Sequence, residues 1–186
     1  MEKTMTAQEA LQRLKDGNAK YLTATSGQGD ISPAIREKTC KEGQFPYAIV
    51  VTCSDSRVVP ESIFSAGIGE LFVIRVAGFV VGDIELGSIE YAAGHLGTPL
   101  VLVLGHTRCG AVGAALDSGH HAPDGYVKSI IDKILAAIGS EKDSDKAVAL
   151  NVKNSCSEVE KNLGKKLSVT AMGAVYHIDS GKVEFL

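Results

Sequence analysis

The stretch YAIVVTCSDSRVVPESIF, Tyr47 to Phe64, decides how the chain is read. Tyr47–Thr52 is apolar at both alternating positions, the pattern of a strand covered by helices on both sides. The run leaves the core at Cys53-Ser54-Asp55-Ser56-Arg57, which sets a thiol, a carboxylate and a guanidinium at alternate positions. Pro60-Glu61 then fits the first two positions of a short helix.

Two further apolar runs, Leu71–Val76 and Leu100–Leu104, follow at intervals typical of α/β units. Between them IELGSIEYAAGHL (84–96) has a helical pattern. After the third, TRCGAVGAALDSG (107–119) reads as a small-residue helix packed close to a sheet. Helices are expected in 126–138 and 144–162, and the ending LSVTAMGAVYHIDSGKVEFL (167–186) as a strand, an Asp-Ser-Gly turn and a second short strand. Upstream, Ala7, Leu11 and Leu14 lie at helical spacing, Gly17-Asn18 reads as a break, and TATSGQGDISP (23–33) as a polar loop. The fold expected is α/β, an open and mostly parallel β-sheet flanked by helices on both faces. An N-terminal helical arm over 1–30 and a C-terminal strand pair belong to the same single domain, residues 1–186.

The 186 residues, 45% hydrophobic and 22% charged, suffice for one real core. A net charge of −3 without a basic run argues against a nucleic-acid partner. No apolar stretch approaches the roughly 18 residues of a membrane span, and the N-terminus lacks the apolar segment of a signal peptide. The cysteines, Cys40, Cys53, Cys109 and Cys156, are too dispersed for a secreted disulfide framework. A reducing, cytoplasmic setting is expected, in which thiols serve metals or catalysis.

In open α/β sheets, ligands bind at the carboxyl ends of strands, and Cys53 and His106 each stand at such an end. His106 and Cys109 are three residues apart at a strand-to-helix junction, so both can face one point. With Cys53 they make two thiolates and an imidazole, a donor set that suits tetrahedral zinc with one open position. There is no Cys-x-x-Cys for dithiol redox chemistry, and CSDSR is too short for a phosphatase-type loop. Asp55 has two competing roles. It either accepts a hydrogen bond at the fourth metal position or ligates the metal itself and closes the site. A bidentate pair with Arg57 would hold it off the metal; a strand-end salt bridge without catalytic part is the plainer reading.

Cys-Ser-Asp-Ser-Arg, followed about fifty residues later by Gly-His-x-x-Cys-Gly, resembles the β-class carbonic anhydrases. GELFVIR (69–75), SIEYA (88–92), CGAVGAAL (109–116) and GAVYHIDSGKVEFL (173–186) are similar to that family's pattern in the same order, across most of the chain. The resemblance implies zinc-dependent, reversible hydration of carbon dioxide to bicarbonate and a proton by zinc-bound hydroxide. It implies Cys53, His106 and Cys109 as ligands, the Asp55–Arg57 dyad, and a homodimer or higher homo-oligomer. Carbonic anhydrases with three histidine ligands bring zinc-bound water to a pKa of about 7, but that example has another ligand set. Two thiolates neutralise more of the metal charge, so activity is expected to rise towards alkaline pH.

GQFP (43–46) resembles the segment that carries an active-site glutamine, which makes Gln44 a candidate donor to substrate. Phe72 and Tyr91 match positions that wall the carbon dioxide pocket, although core packing explains them equally well. Gly110 would let a backbone amide approach a bound anion. His95, His177 and the His120-His121 pair lack a ligand partner at a convincing spacing, and Cys40 and Cys156 read as bystanders. The family's two asparagines after the VIR segment are replaced here by Val76 and Phe79, expected to alter the pocket near its dimer side. That departure keeps open a carbonyl sulfide or carbon disulfide hydrolase on the same zinc. A non-catalytic zinc- or anion-binding protein, closed by Asp55, is the rival from another class.

Overall fold

The computed structural model describes residues 5–119, 121–167 and 169–186. Alternation along the apolar runs splits its interior into two layers. Ile49, Val51, Val101 and Val103 face one side, and Ala48, Val50, Leu100, Leu102 and Leu104 face the other. These residues belong to a sheet built of β1 (Ala48–Thr52), β2 (Leu71–Arg75), β3 (Leu100–His106), β4 (Thr170–Tyr176) and β5 (Val183–Phe185). The strand order is β2-β1-β3-β4-β5, parallel throughout except for the antiparallel β4–β5 pair at the end. The sheet and its closing strand pair match the sequence reading. β3 runs two residues past Leu104 because Gly105 and His106 still pair with Val175 and Tyr176.

Helices α4 (Asp83–His95), α5 (Gly110–Asp117), α6 (Lys128–Ile138) and α7 (Ser144–Val159) cover the first layer. The second is covered by α1 (Ala7–Tyr21) and the single turn α3 (Pro60–Ile63). α1 is the N-terminal arm. Thr6 caps it reciprocally with Glu9, and Ala10, Leu11 and Leu14 bury its apolar stripe on this chain's own sheet. Burial of Leu14 alone is worth about 1.5–3 kcal/mol.

Gly17-Asn18 lies inside α1 rather than breaking it. A Cβ at Gly17 would sit 1.9 Å from the Phe64 carbonyl oxygen, so the glycine serves close approach. Asn18, 5% exposed, donates to the carbonyls of Ile63 (3.2 Å) and Gly181 (3.0 Å) and accepts from the Val183 N–H (3.0 Å).

The helix α2 (Pro33–Glu42) falls where no helix was read. Ser32 caps it and Pro33 opens it, but it buries no residue, so no hydrophobic stripe announced it. Downstream of α7, a π-helical turn (Glu160–Gly164) leads into α8 (Lys165–Leu167).

Two features position the site. The connection leaving β1 runs to β2 on one side, and the one leaving β3 runs to β4 on the other, which opens a crevice at the carboxyl ends of β1 and β3. α7 presses on the sheet under that crevice, where Val152 nests against two glycines of adjacent strands. A Cβ at Gly105 would come within 2.5 Å of Val152 Cγ2, and one at Gly173 within 2.7 Å of its Cγ1. At the edge of the sheet, β2 presents the half-buried Leu71, Phe72, Val73 and Ile74 on a strand that pairs only with β1 among the described residues. Among the described residues no helix is long and apolar enough to cross a membrane.

Candidate metal centre

Cys53 leaves β1 immediately after Thr52, His106 ends β3, and Cys109 caps α5. The parallel β1–β3 register, fastened by the buried Thr52 Oγ1 donating to the Leu104 carbonyl at 2.8 Å, brings these ends side by side. The ligand atoms of Cys53, His106 and Cys109 all lie within 4.8 Å of one another, and all three residues are buried. Arg108, with φ 55°, makes the sharp turn that swings Cys109 back beside His106.

The protonation pattern is that of a ligand set. His106 Nδ1 lies 3.0 Å from the Thr107 carbonyl oxygen. A carbonyl only accepts, so Nδ1 carries the proton and Nε2 offers its lone pair. That Nε2 is buried and has no hydrogen-bond partner. The two thiols share a proton. Cys53 is pulled below an ordinary thiol because the Cys109 S–H donates to it, against burial, with help from the Gly78 N–H. Cys109 is pushed up because it keeps that proton beside Cys53 and is itself buried. A soft divalent cation takes the place of such a proton, so the three residues fit a thiolate- and imidazole-held metal.

Asp55 sits beside the cluster, with Oδ2 4.0 Å from His106 Nε2. Arg57 clamps it through Nε on Oδ1 (2.9 Å) and Nη2 on Oδ2 (2.7 Å), while the Arg57 N–H donates to Oδ1 at 2.9 Å. These bonds hold the carboxyl well below the usual carboxylate range, against burial. Arg57 Nη2 also reaches the Arg108 carbonyl at 3.2 Å, tying the β1 exit to the β3 exit. Arg75, at the end of β2, donates to the carbonyls of Cys53 (3.2 Å) and Asp55 (2.7 Å) and fixes the loop that carries both.

The other candidates are placed differently. Gly110 opens α5 next to Cys109, and nothing lies within 4 Å of where its Cβ would be. Gln44 precedes β1 at its amino end, whereas Cys53 follows the carboxyl end, roughly 25–30 Å of extended chain away. Phe72 pairs in register with Ile49, also at the amino end, and its ring lies 6.2 Å from that of Tyr91. One chain therefore keeps Gln44, Phe72 and Tyr91 apart from its own metal cluster. Phe79 is fully buried behind His106, with ring centroids 6.3 Å apart, so it faces the core rather than a pocket wall. His95 stacks near Tyr91, and His177 pairs with Glu184 at 3.3 Å. His120 lies outside the described residues. Cys40 is exposed, and Cys156 is pushed up to about 12 by burial, with Glu160 adding to the effect. Residues that no motif signalled complete the surroundings: Gly78, whose N–H donates to Cys53 Sγ at 3.4 Å, and Asn151 and Ser155 behind it.

The carbonic anhydrase family model matches residues 48–183. A carbonic anhydrase from Mycolicibacterium smegmatis is 35% identical over 192 residues, covering 94% of this chain and 91% of the relative. Carbonic anhydrase 2 from Mycobacterium tuberculosis is 33% identical, covering 93% of this chain and 89% of that protein. Among solved structures, a tetrameric β-carbonic anhydrase from Sordaria macrospora superposes with a TM-score of 0.72 at 25% identity, covering 83% of this chain and 87% of the other.

Proposed function

The chain belongs to the β-class carbonic anhydrases, and from that premise we propose the following division of labour at its metal centre. The reaction is the zinc-dependent, reversible hydration of carbon dioxide to bicarbonate and a proton. Bound zinc supplies Lewis acidity, which makes a hydroxide-like nucleophile available near neutral pH. Cys53, His106 and Cys109 hold it, three protein ligands being the number that leaves a position open for chemistry. The observation that carries this reading is their convergence within 4.8 Å around a buried, partnerless His106 Nε2.

Asp55 accepts a hydrogen bond from the nucleophile and turns its lone pair towards the carbon of carbon dioxide. The new C–O bond forms as one C=O bond opens, and the released proton passes to solvent. Arg57 keeps Asp55 an anion and keeps both of its oxygens engaged, so that the carboxylate stays off the metal. That clamp favours the open, catalytic arrangement over a binding module shut by Asp55. The Gly110 position leaves space for bicarbonate to approach the start of α5. With Phe79 turned into the core, only the half-buried Val76 remains of the departure that kept the carbonyl sulfide and carbon disulfide alternative open.

Gln44, Phe72 and Tyr91 serve the site of the opposite subunit. β2 is a half-buried apolar edge strand paired on one side only, with β1, among the described residues, and its outer side calls for a partner strand. Antiparallel pairing of two β2 edges about Val73 sets position 72 opposite position 74. Ile74 is the register partner of Val51, two residues before Cys53. Such pairing carries one subunit's Phe72, with Tyr91 beside it, towards the other's ligand cluster, and the homo-oligomer is then part of the catalyst. Residues 1–186 work as one domain in the cytoplasm, where cysteines at the metal centre stay reduced.

The test is bound zinc per chain together with stopped-flow carbon dioxide hydration at pH 7 and 8.5, with carbonyl sulfide hydrolysis assayed alongside. One zinc per chain and a rate that rises with pH are expected. Zinc without carbon dioxide hydration at either pH would overturn the reading.

A further inference from the structure

Behind the ligand cluster, residues 77–79 form one turn that is left-handed at two successive residues, Gly78 (φ 70°) and Phe79 (φ 46°). That region is open to glycine but strained for phenylalanine, so the surroundings must hold the turn in place. Two polar side chains of α7, each 1% exposed, do this. Asn151 Nδ2 donates to the Gly78 carbonyl at 2.8 Å, and Ser155 Oγ donates to the Phe79 carbonyl at 3.1 Å. A carbonyl only accepts, which fixes the orientation of the Asn151 amide and leaves its Oδ1 without a partner. A buried acceptor left unpaired is a cost, carried here for the sake of the single donor.

The opposite face of the same turn touches two of the three ligands. The Gly78 N–H donates to Cys53 Sγ at 3.4 Å. The Phe79 ring stands edge-on to His106, with centroids 6.3 Å apart and planes at 69°. The chain of contacts is continuous from α7 through two carbonyl groups to a sulfur and an imidazole.

We propose that Asn151 and Ser155 are positioning residues for the zinc centre, acting through the 77–79 turn on Cys53 and His106. The first sets the N–H that draws electron density from the Cys53 sulfur. The second holds the ring that limits rotation of the His106 imidazole. The inference rests on the zinc reading above and adds two residues from a helix outside the ligand motifs.

The test uses the full chain with Asn151→Leu and Ser155→Ala, and Val159→Ala as a control that thins the α7 core away from the turn. Zinc affinity is measured by chelator competition, cobalt(II) is substituted for its thiolate charge-transfer spectrum, and the metal-free proteins are melted. Each of the two variants is expected to lose about 10–100-fold in zinc affinity and to shift the cobalt spectrum. Val159→Ala is expected to lower the melting temperature and leave both readouts unchanged. Ser155→Ala removes a single oxygen, so it remains informative if Asn151→Leu does not fold. Wild-type affinity and spectrum in both variants, or an equal loss in Val159→Ala, would overturn the inference. A wild-type chain that bound no zinc would instead strike the reading beneath it.

Discussion

Substituting Gly105 by alanine tests the seating of α7 against the sheet beneath the metal centre. The new methyl would stand 2.5 Å from Val152 Cγ2, 3.2 Å from Phe79 Cζ and 3.3 Å from Val148 Cγ1. Carbon atoms pack at about 3.5–4.0 Å, so the overlap with Val152 is about 1 Å and α7 or β3 must shift. Overpacking of that size costs about 1–3 kcal/mol, and a value near 2 lowers the melting temperature of a chain this long by about 4–8 °C. Val152→Ala alone deletes two methyl groups from a fully buried site, for about 2–3 kcal/mol. In the double variant the methyl added at 105 occupies space vacated at 152. Its total cost should fall short of the sum by about 1–2 kcal/mol, a coupling that a double-mutant cycle resolves. Thermal or urea unfolding of the four metal-free proteins supplies the energies. Zinc affinity follows His106, which Gly105 adjoins, and should fall in Gly105→Ala and recover in the pair. Strictly additive energies, or an alanine at 105 as stable as glycine, would refute the close-approach argument.

Metal removal offers a second check. Chelating zinc from the wild type should lower its stability by about 2.7 kcal/mol where zinc had stood at a hundredfold its dissociation constant. His106→Ala should bind no zinc tightly and hydrate carbon dioxide at the uncatalysed rate, by metal analysis and stopped flow. For Asp55 the sign follows from its depressed carboxyl. Its contribution is present above the ordinary carboxylate value of about 4 and is lost as the pH falls towards the lower folded value. Metal-free wild type should therefore be more stable than Asp55→Asn at pH 6, with the gap closing progressively below about pH 4 in melting curves. Iodoacetamide at pH 8 should alkylate the exposed Cys40 and spare Cys156, whose buried thiol is pushed up to about 12, as peptide mass spectrometry will read. Phe72→Glu should dissociate the oligomer in sedimentation and lower the hydration rate with it, since β2 is the edge on which the subunits are proposed to meet.

The convergence of Cys53, His106 and Cys109 into a group able to hold a metal was legible because each position rests on short-range rules. An apolar run ends at Cys53, another ends at His106, and Cys109 follows within one turn. Parallel strands then bring their carboxyl ends together. The Asp55–Arg57 clamp was legible for the same reason, being closed across two residues. Other parts depend on partners far along the chain. α2 escaped notice because a helix that buries nothing carries no periodic stripe. Asn151 and Ser155 read as ordinary polar positions of α7 until the turn 73 and 76 residues upstream is folded against them. Gly105 and Gly173 appear in the sequence as unremarked small residues, and only the approach of Val152 gives them a reason. Phe79 was expected at the pocket on family likeness alone, whereas its strained backbone turns the ring into the core.

Asn18 sets an order of events for a chain emerging from the ribosome. Two of its three hydrogen bonds are to Gly181 and Val183, 163 and 165 residues downstream. α1 is synthesised well before β5, yet its inner amide group has those partners only after the chain has been made as far as Val183. Until then, docking α1 on the sheet would bury an amide with only the Ile63 carbonyl to answer it, a penalty that disfavours early closure. The helix α1 is thus left available while the strands are being made and is fastened by the segment that enters β5, so synthesis of β5 and closure of the second apolar layer become one step.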